Sequence, residues 1–418
     1  MKSSRAWSLV GVSLLASLVL PVSAARAQGG DCLSVRSPVV DVEQQRLADP
    51  RTGLLIAAGG LTPFVERFPA ALCGMRSAGE ARELVRVWGS ALWQSAVRRA
   101  QGPGGGSLAA GDDRPLYWAR LALDRQLDGW QPEFAVDAAG LRQDFEDASR
   151  GLTDNDFRGT PGVRRLFISG FDPFGLDAEL RRANPSGSVA LSLNGRRVTL
   201  ADGERVEIRA VVLPVRYADF DRGMVERAFG RRMAPGPRSA DRITTISQGY
   251  PGKFTLEAWA GRARSADPYP DNEGALSGGT YQSPVVAPGM GPGAEFIETS
   301  LPTAAMTAAV QTPWPVLLNT TVSEIPAGGG ATVDRENGPT PGSRAVEGGG
   351  GGYLSNEVAY RSNRLRLELR PDLPGGHLHT PVLTGLPADP AQLTGAEFEA
   401  NEAAIRAEVQ TLLSAEWS

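Results

Sequence analysis

The sequence predicts an α/β fold behind a mainly helical N-terminal region, on three observations. Strand-like runs alternate with amphipathic helical ones from Val163 onward, which argues for a sheet covered by helices on both faces. Residues from about 28 to 159 read as helices instead. The composition is that of a folded protein, with 418 residues, 41% hydrophobic and 22% charged, and core enough for two domains.

Taken in order, the chain opens with Lys2 and Arg5, an apolar run from Trp7 to Leu20, then Pro21 and a small-residue segment ending Ala25-Arg26-Ala27. This is the layout of a secretory signal peptide, cut after Ala27. The alternative, a retained anchor, is disfavoured because the run is shorter than the roughly 20 apolar residues a spanning helix needs, and no later stretch is longer. The mature chain is therefore expected to be exported, with no membrane span. Exported proteins meet oxidising conditions, and Cys32 and Cys73 are the two cysteines of the chain, so they are predicted to pair rather than stay as buried free thiols. Such a loop stabilises by ~3 kcal/mol in the chain-entropy picture.

Within residues 28–160, Ser77 and Glu80 form a capping-box pair ahead of Ala81, Leu84, Val85, Trp88, Leu92 and Ala96, which recur on one helical face. A Gly/Pro break at 102–106 follows, then Pro115 opens a helix carrying Leu116, Ala119, Leu123 and Leu127, and another helix runs near Ala138 to Ser149. The Asp and Glu residues are scattered as on a solvated helix face, so this reads as an accessory domain without chemistry of its own. Residues 161–418 form the second unit. Strands are expected at Arg165–Ser169, Val206–Val215, Ile243–Ser247 and Val316–Val322, and helices at Tyr217–Phe229 and Thr303–Val310. The Gly/Pro-rich stretch at about 323–349 reads as a surface insertion, and a capping box at Thr394 and Glu397 starts a last helix that ends near Ser414.

Charge and residue counts exclude several functions. With 43 Lys+Arg against 47 Asp+Glu there is no basic excess to neutralise a phosphate backbone, so nucleic acid is not an expected partner. Two histidines and two cysteines cannot build a His-rich metal centre or a four-cysteine zinc site. Both histidines lie in Gly376-His377-Leu378-His379-Thr380-Pro381, and alternation in an extended segment puts them on one side. Any imidazole base comes from here, although a buried structural histidine fits the same segment. In Gly351-Gly352-Tyr353-Leu354-Ser355-Asn356, glycines lead into a helix, so Ser355 reads either as a helix cap or as a nucleophile beside helix N-terminal amides.

From about Arg164 to the final helix, an ordered set of short motifs resembles the pyroglutamyl peptidase I (pyrrolidone carboxyl peptidase) family. They are Ser169 to Gly175 (SGFDPFG), Asn184-Pro185-Ser186, Leu213-Pro214-Val215, Thr255-Leu256-Glu257, Pro270-Asp271-Asn272-Glu273-Gly274, Leu301-Pro302, Tyr353-Leu354-Ser355-Asn356 and His379-Thr380-Pro381. The resemblance implies a three-layer α/β/α sandwich that releases N-terminal pyroglutamate by a Cys-His-Glu triad, with neither metal nor cofactor. Carried over by position, it implies His379 as the base, Glu257 as the acid that orients it, and Phe171 and Phe174 as the rings lining the lactam pocket.

The departure is at the nucleophile, where the family motif reads tyrosine-leucine-cysteine-asparagine and this chain has Ser355. A hydroxyl must lose its proton to the base as it attacks, so a Ser355-His379-Glu257 hydrolase of pyroglutamyl peptides or related small lactams and amides is one expectation. The alternatives are an inactive homologue that binds pyroglutamyl-type termini, or a structural role in which the helical part binds an envelope partner. The family arginine ahead of Pro270 has no clear counterpart, though Arg262 and Arg264 lie nearby. The sequence leaves the oligomeric state open.

Overall fold

The computed structural model describes residues 32–33, 41–102, 105–200, 202–310 and 312–417. The expected signal peptide, residues 1–27, lies outside the described residues.

The N-terminal part is helical. Asp41 caps α1 (Val42–Gln45) and Asp49 caps α2 (Pro50–Ala58), which has proline in its first turn. After α3 (Thr62–Cys73), the Ser77 side chain accepts from the Glu80 amide at 3.2 Å to start α4 (Ala78–Gln101), while the Glu80 carboxylate reaches back to the Arg76 amide at 2.9 Å. The expected α4 stripe faces inward, with Ala81, Val85 and Leu92 fully buried. Then come α5 (Arg114–Asp128) and α6 (Ala138–Ser149). A Cys32–Cys73 disulfide, with Cα atoms 5.8 Å apart, ties the segment ahead of α1 to the end of α3.

One expectation is corrected here. The acidic residues of this region do not all lie on a solvated face, because Glu43, Asp112, Asp113, Asp124 and Glu146 are buried. Three of them pair with buried arginines, Asp112 with Arg114 at 2.5 Å, Glu43 with Arg216 at 3.1 Å and Glu146 with Arg216 at 2.9 Å, while Asp113 accepts the Asn184 amide at 3.1 Å. Helical periodicity shows which residues share a face but not that a second layer will cover it.

The C-terminal part is a mixed α/β fold. Its first strand, β1 (Val163–Phe171), is followed by α7 (Pro185–Leu193), β2 (Arg197–Thr199) and β3 (Arg205–Leu213). The single helix expected next is two, α8 (Tyr217–Asp221) and α9 (Met224–Met233), because Gly223 turns the chain at φ 76°. Beyond them lie β4 (Arg242–Gln248), β5 (Phe254–Glu257), the short strands β6 (Trp259–Gly261), β7 (Ala263–Arg264), β8 (Val285–Val286) and β9 (Phe296–Glu298), and α10 (Thr303–Ala308).

The strand expected over Val316–Val322 divides into β10 (Val316–Asn319) and β11 (Val322–Ile325). The supposed surface insertion carries structure of its own: β11 pairs with β12 (Val333–Arg335) and β13 (Arg344–Glu347), and Ser323, Glu324, Ala345 and Val346 are buried. The chain ends with α11 (Leu354–Leu369), β14 (Gly375–Thr380) and α12 (Ala396–Ser414). No capping box forms at α12, where Gly395 is the cap and the Thr394 hydroxyl donates to Glu399 at 2.9 Å.

The main sheet has the order β10-β5-β14-β4-β1-β3-β2, in which only β14/β5 and β3/β2 pair antiparallel. Alternation along β1 sorts its side chains between two cores. Leu166 and Ile168 join α7 and α12, while Phe167 and Phe171 join α9 and the start of α11. The result is a sheet sandwiched between helical layers. The first of these cores also contains Leu55, Phe68, Trp93 and Phe145, so the helical region and the sheet share one continuous apolar cluster.

Candidate active site

Strand register builds the centre of the site. In β14, His377 lies beside Thr245 of β4 and Glu257 of β5, and His379 lies beside Ser247 and Thr255. Residues two apart in a strand share a face, so six polar side chains converge on the side of the sheet that α11 covers. Leu378 points the other way into the apolar core.

His379 Nδ1 lies 2.7 Å from Glu257 Oε1. The same carboxylate accepts from Thr255 Oγ1 at 2.5 Å and from Asn319 Nδ2 at 2.7 Å. Three donors on the carboxylate hold it in place, and an Nδ1–H directed at it leaves His379 Nε2 as the acceptor. Glu257 and His379 are each 3% exposed. Little room is left above them: a Cβ on Gly349 would lie 2.2 Å from Glu257 Oε2, and one on Gly350 would lie 3.2 Å from His379 Cε1.

Ser355 sits in the first turn of α11, whose cap is Tyr353, so Ser355 is not the helix cap. Its hydroxyl donates to the Gly350 carbonyl at 3.0 Å, and it makes no hydrogen bond to His379 among the described residues. The side chain faces a small, mainly apolar cavity lined by Phe171, Phe174, Val215, Ser247, Tyr353 and Ser355. The structure thus brings both phenylalanines and Ser355 to one cavity, with the Glu257–His379 pair next to the Gly350 carbonyl that Ser355 engages. Phe171 is fixed by stacking on Phe220 at 6.1 Å and by its amide, which donates to Ser186 Oγ at 3.0 Å. Cys32 and Cys73, joined in the helical region, are not part of this cavity.

Several contributors were given no role by the sequence. His377 fills the space beside His379, with its ring centroid 4.5 Å away. Burial and the neighbouring imidazole hold its pKa well below the usual range, so it stays neutral. Asn319 comes from the edge strand, and its only sequence signal is its place at the end of an apolar run. Asp172, inside the SGFDPFG turn, is gripped by Arg120 at 2.9 Å and Arg150 at 2.5 Å, both from the helical region. Of the two arginines near the missing family position, Arg264 pairs with Glu357 and Asp221, and Arg262 with Glu295.

Fold and site together describe an α/β protein with a buried imidazole–carboxylate pair at the edge of a serine-lined cavity. Two family models match the chain, described as the PA0049 N-terminal domain over residues 23–146 and the PA0049 C-terminal domain over residues 165–283 and 317–384. The uncharacterized protein PA0049 of Pseudomonas aeruginosa is 33% identical over 96% of this chain and 95% of its own length. This chain belongs to the PA0049 family.

Among solved structures, it is similar to the pyrrolidone carboxyl peptidase of Thermococcus litoralis, at 18% identity and TM-score 0.38, over 60% of this chain and 93% of that one. It is also similar to the pyroglutamyl peptidase I of Bacillus amyloliquefaciens, at 19% identity and TM-score 0.38, over 61% and 99%.

Proposed function

We propose that the chain is a hydrolase of pyroglutamyl-type lactam amides, with Ser355 as nucleophile, His379 as general acid and base, and Glu257 orienting the imidazole. The observation that carries this reading is the Glu257–His379 contact of 2.7 Å beside a cavity shared by Ser355, Phe171 and Phe174. The two rings and Tyr353 offer an apolar slot for a small planar lactam. For attack, the Ser355 hydroxyl turns from the Gly350 carbonyl toward His379 Nε2 and passes its proton there as Oγ bonds to the amide carbon. Glu257 then faces an imidazolium, and its charge favours that state. Ser355 is in the first turn of α11, and helix N-terminal amides favour the negative charge that develops on a carbonyl oxygen attacked there. Collapse breaks the C–N bond and returns the proton from His379 to the leaving amine. Water hydrolyses the acyl-serine by the same exchange.

A second reading, a binding protein for pyroglutamyl-type termini, is favoured by one observation, the Ser355 hydrogen bond to Gly350 rather than to an imidazole. Turnover of a chromogenic pyroglutamyl amide separates the two. Under the hydrolase reading wild type is active, and Ser355→Ala and His379→Ala each lose at least ~100-fold, about 2.7 kcal/mol of transition-state stabilisation. Activity found only in Ser355→Cys overturns the serine nucleophile. An inert wild type that a pyroglutamyl peptide still stabilises thermally, with the shift abolished by Phe171→Ala, establishes the binder.

We also propose, from the layout of the sequence, that residues 1–27 are a removable export signal. The Cys32–Cys73 disulfide is compatible with an oxidising compartment. Among the described residues no helix is long and apolar enough to cross a membrane.

A further inference from the structure

The Glu257 carboxylate is held from two sides. Its Oε1 accepts from His379 Nδ1 and from the Thr255 hydroxyl, whereas among the described residues Oε2 accepts from Asn319 Nδ2 alone, at 2.7 Å. The last torsion of a glutamate is soft and roughly two-fold, so bonds to Oε1 by themselves leave the plane of the carboxylate free to rock. A donor to Oε2 from a second strand fixes that plane. Register places Asn319 for this, since β10 pairs with β5 so that Asn319 lies beside Glu257.

The same nitrogen has a second partner. A carboxamide nitrogen carries two protons, and Asn319 Nδ2 gives the other to the Gly349 carbonyl at 2.9 Å, while its Oδ1 accepts the Thr321 amide at 3.2 Å. Turning the carboxamide over would set its oxygen against two acceptors, so the network admits one orientation. The chain leaves the main sheet at Asn319, builds β11, β12 and β13, and returns at Gly348 and Gly349. The Asn319–Gly349 bond therefore closes this insertion at its base. From there the glycine run passes His379 at Gly350, whose carbonyl holds the Ser355 hydroxyl at 3.0 Å.

We propose that Asn319 is a positioning residue of this site, fixing the Glu257 carboxylate against His379 and, through the same nitrogen, the glycine run that holds Ser355. Its catalytic consequence rests on the hydrolase reading, whereas the positioning rests on the geometry alone. Asn319 does not line the cavity of Phe171, Phe174 and Ser355, so its loss is expected in kcat and not in substrate binding.

Two variants separate positioning from bulk. Asn319→Asp keeps the shape of the side chain but puts an acceptor where both donors were, and Asn319→Ala removes the group. For a residue that only fills space the isostere is the milder change. For the role proposed it is the more damaging one, because a second carboxylate then faces Glu257 and the Gly349 carbonyl. On a pyroglutamyl amide at pH 8, Asn319→Ala should lower kcat about 10-fold, what one lost hydrogen bond is worth. Asn319→Asp should lower it roughly 100-fold, the loss that follows from a misplaced catalytic group, with KM little changed in both. Wild-type kcat in either variant, or a smaller loss in Asn319→Asp than in Asn319→Ala, overturns the catalytic role.

Proton NMR reads the position of Glu257 without a substrate. The Nδ1 proton of His379, with a carboxylate oxygen 2.7 Å from its nitrogen, should appear far downfield at low temperature, assigned by its loss in His379→Ala. It should shift in both Asn319 variants, and further in Asn319→Asp. A resonance absent from wild type, or unmoved in both variants, overturns the positioning. If wild type turns nothing over, the hydrolase reading fails, and this resonance alone decides the role of Asn319.

Discussion

Arg120, on a helix of the N-terminal region, holds its guanidinium 2.9 Å from the carboxylate of Asp172, which sits between the two phenylalanines of the candidate pocket. Arg150 reaches the same carboxylate, and the Arg150 carbonyl accepts the Val212 amide of β3 at 3.1 Å. The helical region is therefore part of the wall that positions Phe171 and Phe174, and Asn184, donating to the Asp172 carbonyl at 2.9 Å, braces the turn from the body.

Removing the Asp172 carboxylate leaves two buried guanidinium groups without their shared partner. Asp172→Ala should cost about 3–5 kcal/mol, the range for breaking a buried pair, read by urea denaturation. A loss below about 1 kcal/mol would show that Glu146 and Ser149, the other partners of these arginines, carry them unaided.

The division into residues 28–160 and 161–418 is a proposal about sequence units, and the shared apolar cluster bears on how they unfold. A single calorimetric transition is expected for the whole chain. Cleavage near 153–162 should leave the fragments associated under native conditions, and a helical fragment that elutes alone would contradict the common core.

Cys32 and Cys73 should resist alkylation in the intact protein without reductant. Mass analysis is expected to show no free thiol, and after reduction the melting temperature should fall by an amount equivalent to ~3 kcal/mol. Two alkylated cysteines before reduction would remove the disulfide.

Burial, with the charge of Asp112 adding to it, pushes the Glu402 carboxyl up from its ordinary 4.5 to about 7. The folded state thus favours the neutral acid, and the stability this contributes is full below pH 4.5 and is lost as pH rises through about 7. Glu402→Gln can still accept the Ser188 hydroxyl that now donates at 2.7 Å. Wild type should therefore lose melting temperature relative to Glu402→Gln between pH 5 and pH 8. A constant difference would refute the shift.

Gly349→Ala tests the cover over the pair. The new methyl would meet Glu257 Oε2 at 2.2 Å, so the carboxylate or the backbone must move. Activity on the pyroglutamyl amide should fall by more than ~10-fold with KM changed less, since near-contact geometry sets the rate. An unchanged kcat would mean that Glu257 need not sit where it does.

The sequence by itself determined the fold class and most elements. Period-2 and period-3.6 patterns and their caps are local properties, and Ser77, Pro115 and the β1 run act through neighbours a few residues away. It also placed His377 and His379 on one face of a strand, because alternation needs no partner to be known. Its failures were local conflicts or remote contacts. Gly223 broke a helix that periodicity alone would continue, and the Gly/Pro-rich stretch over 323–349 formed strands because its glycines and prolines fall in the turns between them. Only the tertiary structure decided which groups those histidines meet. The Glu257–His379 and Ser247–His377 contacts join residues more than a hundred positions apart, through the register of three strands. The same holds for Asp172 and its two arginines. Burial changes the physics of such charges, since desolvation forces each to find a partner, and the partner's identity depends on which surfaces the fold brings together.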